Sequence, residues 1–307
     1  MLECGPRGAR GQLANERRLA ASVERPTTVE GEGIVSVLRG KSVLVTGGAS
    51  GIGRAVAQKL ARAGSRIVIW DLDPAGIERV VSELSSLDGG SHAGFVCDIS
   101  QRAQVSAMAA RVKQEIGPIH IVVNCAGVVS GKPFLELSDT QIERTIQVNT
   151  LGLIWVLRAF LPDMIEAGEG HLVTVASAAG LIGVAGLTDY CASKWAAVGL
   201  DEALRVELTK SAPRLKTTIV CPYFVNTGMF DGVATRFSWL LPILKEDYVA
   251  ERIVRGIRRN RRQVLMPWMV HTIAPLRVLP VWLFDKIANI LGVNAAMDAF
   301  CGREGKV

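Results

Sequence analysis

Tyr190 and Lys194 stand four residues apart in Tyr190-Cys191-Ala192-Ser193-Lys194, a spacing that stacks two side chains on one face of a helix. A free phenol, with a pKa of about 10, is a poor base at neutral pH. An ammonium group beside it favours the phenolate and draws that pKa toward the working range. Thirteen residues before the tyrosine, Ser177 closes the apolar run Val173-Thr174-Val175-Ala176. Its hydroxyl is placed to hold an oxygen that gains or loses a proton. The three residues read together as acid–base chemistry at a substrate oxygen. Tyr-x-x-x-Lys by itself fits an amphipathic surface equally well, so the reading depends on what surrounds it.

The surroundings begin at Lys41. Ser42-Val43-Leu44-Val45-Thr46 is a β-type run, followed by Gly47-Gly48-Ala49-Ser50-Gly51-Ile52-Gly53 and then a helical pattern through Val56, Leu60 and Ala63, ended by Gly64. Strand, glycine turn and helix make a dinucleotide cradle. Glycines admit a pyrophosphate close to the backbone, and the helix N-terminus offers free N–H groups and the positive end of its dipole. The next apolar run, Arg66 to Trp70, ends in Asp71, eighteen residues after Gly53. A carboxylate there accepts hydrogen bonds from ribose hydroxyls and repels a 2′-phosphate. No Lys or Arg lies inside the glycine turn, and Arg54 falls where the helix has begun. The expected cofactor is NAD.

Strand and helix signals go on alternating: strands at Ala93–Cys97, Ile119–Val123, His171–Ser177, Thr217–Cys221 and Gln263–Met266, and helices at Val105–Ile116, Asp139–Met164 and Asp189–Lys210. This alternation predicts one doubly wound parallel sheet of about seven strands with helices on both faces, spanning residues 40–267. Ligands of such a sheet lie beyond the carboxyl ends of its strands. Gly47, Asp71, Asp98, Asn124, Ser177 and Pro222 all fall just past strand ends.

With 307 residues and 49% apolar content the chain can bury a sizeable core. Six scattered cysteines without a C-x-x-C pair, and four separated histidines, exclude a metal centre and read as buried small hydrophobes in a reducing compartment. Residues 1–39 lack apolar periodicity and a signal-peptide core, so the expectation is a flexible extension on a protein that is cytoplasmic and not secreted. The net charge of +6 is confined to the stretch from Glu251 onward, which has ten Lys/Arg and four Asp/Glu. A local basic surface follows from that, and no nucleic-acid-binding domain.

Thr46-Gly47-x-x-x-Gly51-x-Gly53, Asn124-x-Ala126-Gly127, Asn149, Ser177 and Tyr190-x-x-x-Lys194 together resemble the short-chain dehydrogenase/reductase superfamily. The resemblance implies a catalytic tetrad: Tyr190 as acid/base, Lys194 lowering its pKa and binding the nicotinamide ribose, and Ser177 holding the substrate oxygen. Asn149 would position a water that links Lys194 to solvent. It also implies cofactor contacts from Gly47, Ser50, Gly51, Ile52, Gly53, Asp71, Asp98, Ile99, Asn124, Ala126, Gly127, Tyr190, Lys194, Pro222, Val225 and Thr227, and substrate contacts from Ser177 and Tyr190. Phrases such as Val128-Val129-Ser130-Gly131, Thr227-Gly228-Met229-Phe230 and Ala296-Met297-Asp298-Ala299-Phe300 are similar to the epidermal retinol dehydrogenase and 17β-hydroxysteroid dehydrogenase 11/13 branch. That branch oxidises lipophilic alcohols at membranes or lipid droplets, and homodimers or homotetramers are expected. The chain departs from it in lacking an apolar N-terminal anchor, in Cys125 where the family usually has Asn, and in Ala49 where many members have Gly. The same tetrad also serves reductases of 3-oxoacyl thioesters and small ketones. A nucleotide-binding lipid-surface protein without turnover is the non-enzymatic alternative.

Residues 223–248 fall where the family places a substrate lid, and are rich in Phe224, Met229, Phe230, Phe237, Trp239 and Leu241. They fit an apolar pocket cover or simple core packing. After six arginines in the twelve residues Glu251 to Arg262 comes an apolar extension, residues 268–307, broken by prolines. Its longest charge-free run, Gln263 to Leu276, has 14 residues, short of the roughly 20 a spanning helix needs. Arginines and tryptophans together are expected to form one surface suited to an anionic membrane interface. Docking on the sheet or on a second subunit is the competing expectation.

Overall fold

The computed structural model describes residues 38–302. All but the last two residues of the expected N-terminal extension lie outside that range. Seven strands form one parallel sheet: β1 (Ser42–Thr46), β2 (Arg66–Asp71), β3 (Ala93–Val96), β4 (Ile121–Asn124), β5 (His171–Val175), β6 (Lys216–Pro222) and β9 (Gln263–Met266), in the order β3-β2-β1-β4-β5-β6-β9. The short strands β7 (Val225–Asn226) and β8 (Leu244–Lys245) pair separately.

The central strands read as near-continuous Val, Ile and Leu because both of their faces are covered. Val43, Val45, Ile67 and Ile69 point into one core with Val56 and Leu60 of α1 (Gly51–Arg62) and Val80 and Leu84 of α2 (Pro74–Asp88). Ile253 and Ile257 of α7 (Glu246–Arg258) complete that layer. The alternate residues Leu44, Val68 and Trp70 face α3 (Arg102–Glu115), α5 (Leu153–Ala167) and α6 (Thr188–Ser211) on the other side. Period-two alternation thus divides each strand between two helical layers.

The expected helix from Asp139 has three parts: α4 (Asp139–Ile146), opened by a capping box between Ser138 and Gln141, a π-helical turn Gln147–Gly152, and α5. By length and composition the 29-residue run Asp139–Ala167 is apolar enough to cross a membrane. Val156, Phe160 and Met164 are nevertheless buried under the sheet, as in a core helix.

Four helices go beyond those expected from the sequence. Helix α2 carries its own signals, Pro74 at its first turn and Gly89 left-handed at its C-cap. The arginine-rich stretch includes the amphipathic helix α7, whose Val249, Ala250, Ile253 and Val254 are buried while Arg255 is exposed. Beyond β9 the chain forms two short helices, α8 (Ile273–Leu276) and α9 (Val281–Ile290). Ala288, Val293, Ala296 and Met297 from this region join Tyr190, Phe224, Val233 and Leu241 in a third core cluster.

Candidate active site

In this sheet the chain runs outward from β1 to β3 and returns to β4 beside β1. The carboxyl ends of β1 and β4 therefore border the switch point where a doubly wound sheet opens. Thr46 Oγ1 joins the two loops there, accepting from the N–H groups of Cys125 at 3.2 Å and Ala126 at 3.3 Å. Gly47 has φ +66°, and a Cβ on it would come 2.8 Å from Ala126 Cα. A Cβ on Gly53 would run into the Gly47 carbonyl oxygen. Only glycine fits either place. Ser50 caps α1 without a side-chain hydrogen bond, which leaves the first-turn N–H groups facing outward.

Asp71 Oδ2 accepts from Ala49 N at 2.9 Å, and Oδ1 from Leu72 N at 2.7 Å and Asp73 N at 3.2 Å. The carboxylate is thereby fixed beside the glycine turn. Arg54 is taken up by Glu83, with Nε and Nη2 each 2.9 Å from a carboxylate oxygen. An arginine the spacing did not reveal stands closer to the turn: Arg79 Nη2 donates to Ala49 O at 3.4 Å. It reaches across from α2.

A cavity of about 560 Å³ runs from this cradle to Ser177, Tyr190 and Lys194, within the size range of small-molecule sites. Its wall includes Gly47, Ser50, Gly51, Ile52, Gly53, Asp71, Asp98, Ile99, Ala126, Gly127, Ser177, Tyr190, Lys194, Pro222, Val225 and Thr227. Two expected site residues are not on that wall. Asn124 is buried at the end of β4, with neither side-chain atom hydrogen-bonded. Asn149, in the π-helical turn, clamps the next loop: its Oδ1 accepts from Val128 N at 2.8 Å, and its Nδ2 donates to Val128 O at 2.9 Å and Ser193 Oγ at 3.0 Å. Cys125, Arg144 and Gln147 line the cavity without having been expected there. For Arg144 and Gln147 the sequence offers only helical periodicity, which does not point to a ligand.

Ser177 starts the turn after β5, its Oγ accepting from Ala179 N at 3.1 Å. Tyr190 and Lys194 sit in the first two turns of α6, both buried. Lys194 Nζ donates to Val175 O at 3.0 Å and lies 5.5 Å from the Tyr190 ring centroid. The expected lowering of the phenol by this ammonium is corrected. Burial pushes the Tyr190 phenol well above its ordinary value, with the hydrogen bond to Ser177 pulling the other way. Burial also draws Lys194 down to about 8. Desolvation disfavours both charged forms.

The substrate side is apolar. Phe230 meets Tyr190 edge-on at 5.8 Å and Phe224 at 5.2 Å, and Phe300 lies 6.3 Å from Phe230. Phe300 presses on the loop after β4, where a Cβ at Gly131 would collide with its ring. Phe230 and the C-terminal segment therefore pack together beside Tyr190.

The short chain dehydrogenase family model matches residues 41–236. This chain belongs to the short-chain dehydrogenase/reductase family. The dehydrogenase is 41% identical over 270 residues to epidermal retinol dehydrogenase 2 of Homo sapiens, covering 87% of each chain. It is 39% identical to 17-beta-hydroxysteroid dehydrogenase 13 of Rattus norvegicus, over 82% of this chain and 84% of that one. Among solved structures, a family member from Burkholderia phymatum in complex with NAD superposes with a TM-score of 0.71 at 29% identity, over 78% of this chain and 94% of that one. A short-chain dehydrogenase from Sphingobium yanoikuyae in complex with NADPH has the same fold, with a TM-score of 0.69 at 24% identity, over 82% of this chain and 95% of that one. The protein is an oxidoreductase of this family, related to retinol and hydroxysteroid dehydrogenases.

Proposed function

We propose that this dehydrogenase interconverts a hydrophobic alcohol (a retinoid, a steroid or another lipid-like alcohol) and its carbonyl, with NAD preferred over NADP. The observation that carries the reading is the meeting of Ser177, Tyr190 and Lys194 on one wall of a cavity whose other end is the glycine cradle. The cradle fits a dinucleotide, since two of its glycines stand where any Cβ would collide with backbone. The nicotinamide, when bound, accepts or supplies the hydride. Ser177 orients the substrate oxygen, and Tyr190, whose buried phenol keeps its proton, gives it to that oxygen in reduction and must first lose it before taking the substrate's in oxidation. Lys194 offers a positive charge within the cavity, held by the Val175 carbonyl. Phe230 on the cavity wall, backed by Phe224 and Phe300, excludes water and favours an apolar substrate body. Asp71 supports NAD, because a carboxylate in contact with a 2′-phosphate puts two like charges together. The apolar C-terminal surface supports contact with a lipid phase, where such substrates dissolve.

A cofactor-reduction screen against retinoids, steroids, long-chain alcohols and 3-hydroxyacyl thioesters tests the reading. Turnover is expected with the first three groups. In Tyr190→Phe it should fall roughly 100- to 10,000-fold, the usual contribution of a positioned acid/base, while dinucleotide binding persists. Turnover of the variant within a few-fold of the unmutated protein would remove Tyr190 from the mechanism.

A further inference from the structure

Four guanidinium groups gather at the end of the sheet opposite the active site. Arg259, Arg261 and Arg262 lie in the turn between α7 and β9, and Arg205 comes from α6, which is remote in sequence; together with Asn260 and Gln263 they line one concavity. The turn is held from below. Helix α7 ends in a Schellman pair, Arg261 N to Gly256 O at 2.9 Å and Asn260 N to Ile257 O at 3.1 Å, with Asn260 left-handed at φ 48°. Ile219 N donates to Arg262 O at 3.0 Å, and Thr218 Oγ1 donates to Arg261 O at 2.6 Å. Buried His171 fixes that threonine in turn, its Nε2 being 2.7 Å from Thr218 Oγ1. The backbone beneath the arginines is thus anchored to two strands of the sheet.

The guanidinium groups themselves are uncommitted. Among the described residues, Arg259, Arg261 and Arg262 make no side-chain hydrogen bond or ion pair. Arg205 makes one side-chain contact of that kind, with Glu202 at 3.5 Å, and its charge also acts on Asp201. Like charges on one concave wall raise the energy of the bare protein, and an anion relieves it. Planar forks from two different elements suit an anion with several acceptor oxygens and more than one negative charge. The rest of the chain has no net charge, and the cluster is a patch and not a stripe, so a nucleic-acid track is a poor match.

We propose that Arg205, Arg259, Arg261 and Arg262 form a binding site for a phosphate-bearing anion, separate from the dinucleotide cradle. Its source is either a soluble polyphosphate group or a phosphorylated lipid headgroup. In calorimetric titration of the full chain with tripolyphosphate, Arg205→Gln should weaken binding roughly tenfold, the loss of one charge-assisted hydrogen bond. Arg255→Gln removes the same charge from the exposed face of α7, outside the concavity, and should leave that affinity unchanged. Any phosphate bound in the glycine cradle is insensitive to both changes, so the difference between the variants reports this site alone. Flotation with phosphatidylcholine vesicles, with and without phosphatidylinositol phosphate, identifies the source. A gain in capture on adding the phosphorylated lipid that is lost in Arg205→Gln marks a headgroup site, and titration without such a gain marks a soluble anion. Equal weakening by Arg205→Gln and Arg255→Gln would reduce the cluster to diffuse charge and overturn the proposal. So would absence of both responses, or poly-glutamate binding as tightly as tripolyphosphate.

Discussion

Asp71 and Arg79 set opposite preferences on the two sides of one residue. Ala49 gives its N–H to Asp71 and its carbonyl to Arg79. A 2′-phosphate beside Asp71 meets a carboxylate at once, and the nearby guanidinium offers partial compensation. NAD is therefore expected to be preferred, and Asp71→Ala to shift the ratio of kcat/KM values toward NADP by about tenfold, about 1.4 kcal/mol. Arg79→Gln should move it the other way. Initial rates with each cofactor at fixed alcohol decide this, and equal efficiencies in the unmutated protein would contradict the role of Asp71. The carboxylate was legible because its place after the second strand is set by the fold. Arg79 was not, since it acts across space from a helix whose signals were passed over. The state of the tyrosine was also beyond the sequence: a four-residue spacing fixes proximity, but the burial that raises the phenol depends on the surrounding wall.

At the scale of elements, two buried titratable groups oppose one another. His171 on β5 is held neutral by burial, its pKa drawn down from 6.5 to about 4. The unfolded chain takes up that proton first, so its contribution is complete above about pH 6.5 and is lost as pH falls toward 4. Asp201 on α6 is shifted the other way, up from 3.8 to about 6, with burial as the largest cause. Its contribution is complete below 3.8 and is lost as pH rises toward 6. Each shift corresponds to about 3 kcal/mol. Between pH 4 and 6 the two slopes cancel in the unmutated protein. His171→Gln keeps a polar partner for Thr218 but removes the titration, so its stability relative to the unmutated protein should rise on acidification. Asp201→Asn should show the reverse. Urea midpoints measured across that range test the pair, and parallel curves for all three proteins would refute it. Strand and helix types were largely readable, since continuous apolar runs and glycine turns alternate through the sheet region. The π-helical turn at Asn149 was not, because backbone hydrogen-bond register leaves no mark on side-chain periodicity.

At the scale of the whole molecule, the structure separates what the sequence places side by side. The arginine turn precedes β9 and the tryptophan-bearing segment follows it, with a strand of about 13 Å between them. One group lies at the far end of the sheet and the other beside Phe224 and Leu241. The docking expectation for the C-terminal extension holds in part, and the single surface of arginines and tryptophans is corrected. Ala288, Val293 and Met297 are docked in the core around Tyr190, while Trp268, Val278, Val281 and Trp282 remain exposed, at 65%, 87%, 76% and 67%. Tryptophans beside aliphatic residues suit the headgroup boundary of a bilayer. Contact with lipid through this surface would bring the lid end of the cavity to the phase in which a hydrophobic alcohol is dissolved. The arginines, at the opposite end, are not needed for it. The expected behaviour is flotation with neutral phosphatidylcholine vesicles that persists at high salt, because apolar insertion is not screened as surface charge is. Val281→Asp with Trp282→Asp should abolish flotation and leave turnover of a water-soluble alcohol intact, since neither residue lines the cavity. Arg261→Gln with Arg262→Gln should leave neutral-vesicle flotation unchanged. Binding that vanishes at high salt, or that follows the arginines and not Val281 and Trp282, would show that charge at the far end of the sheet governs any lipid contact.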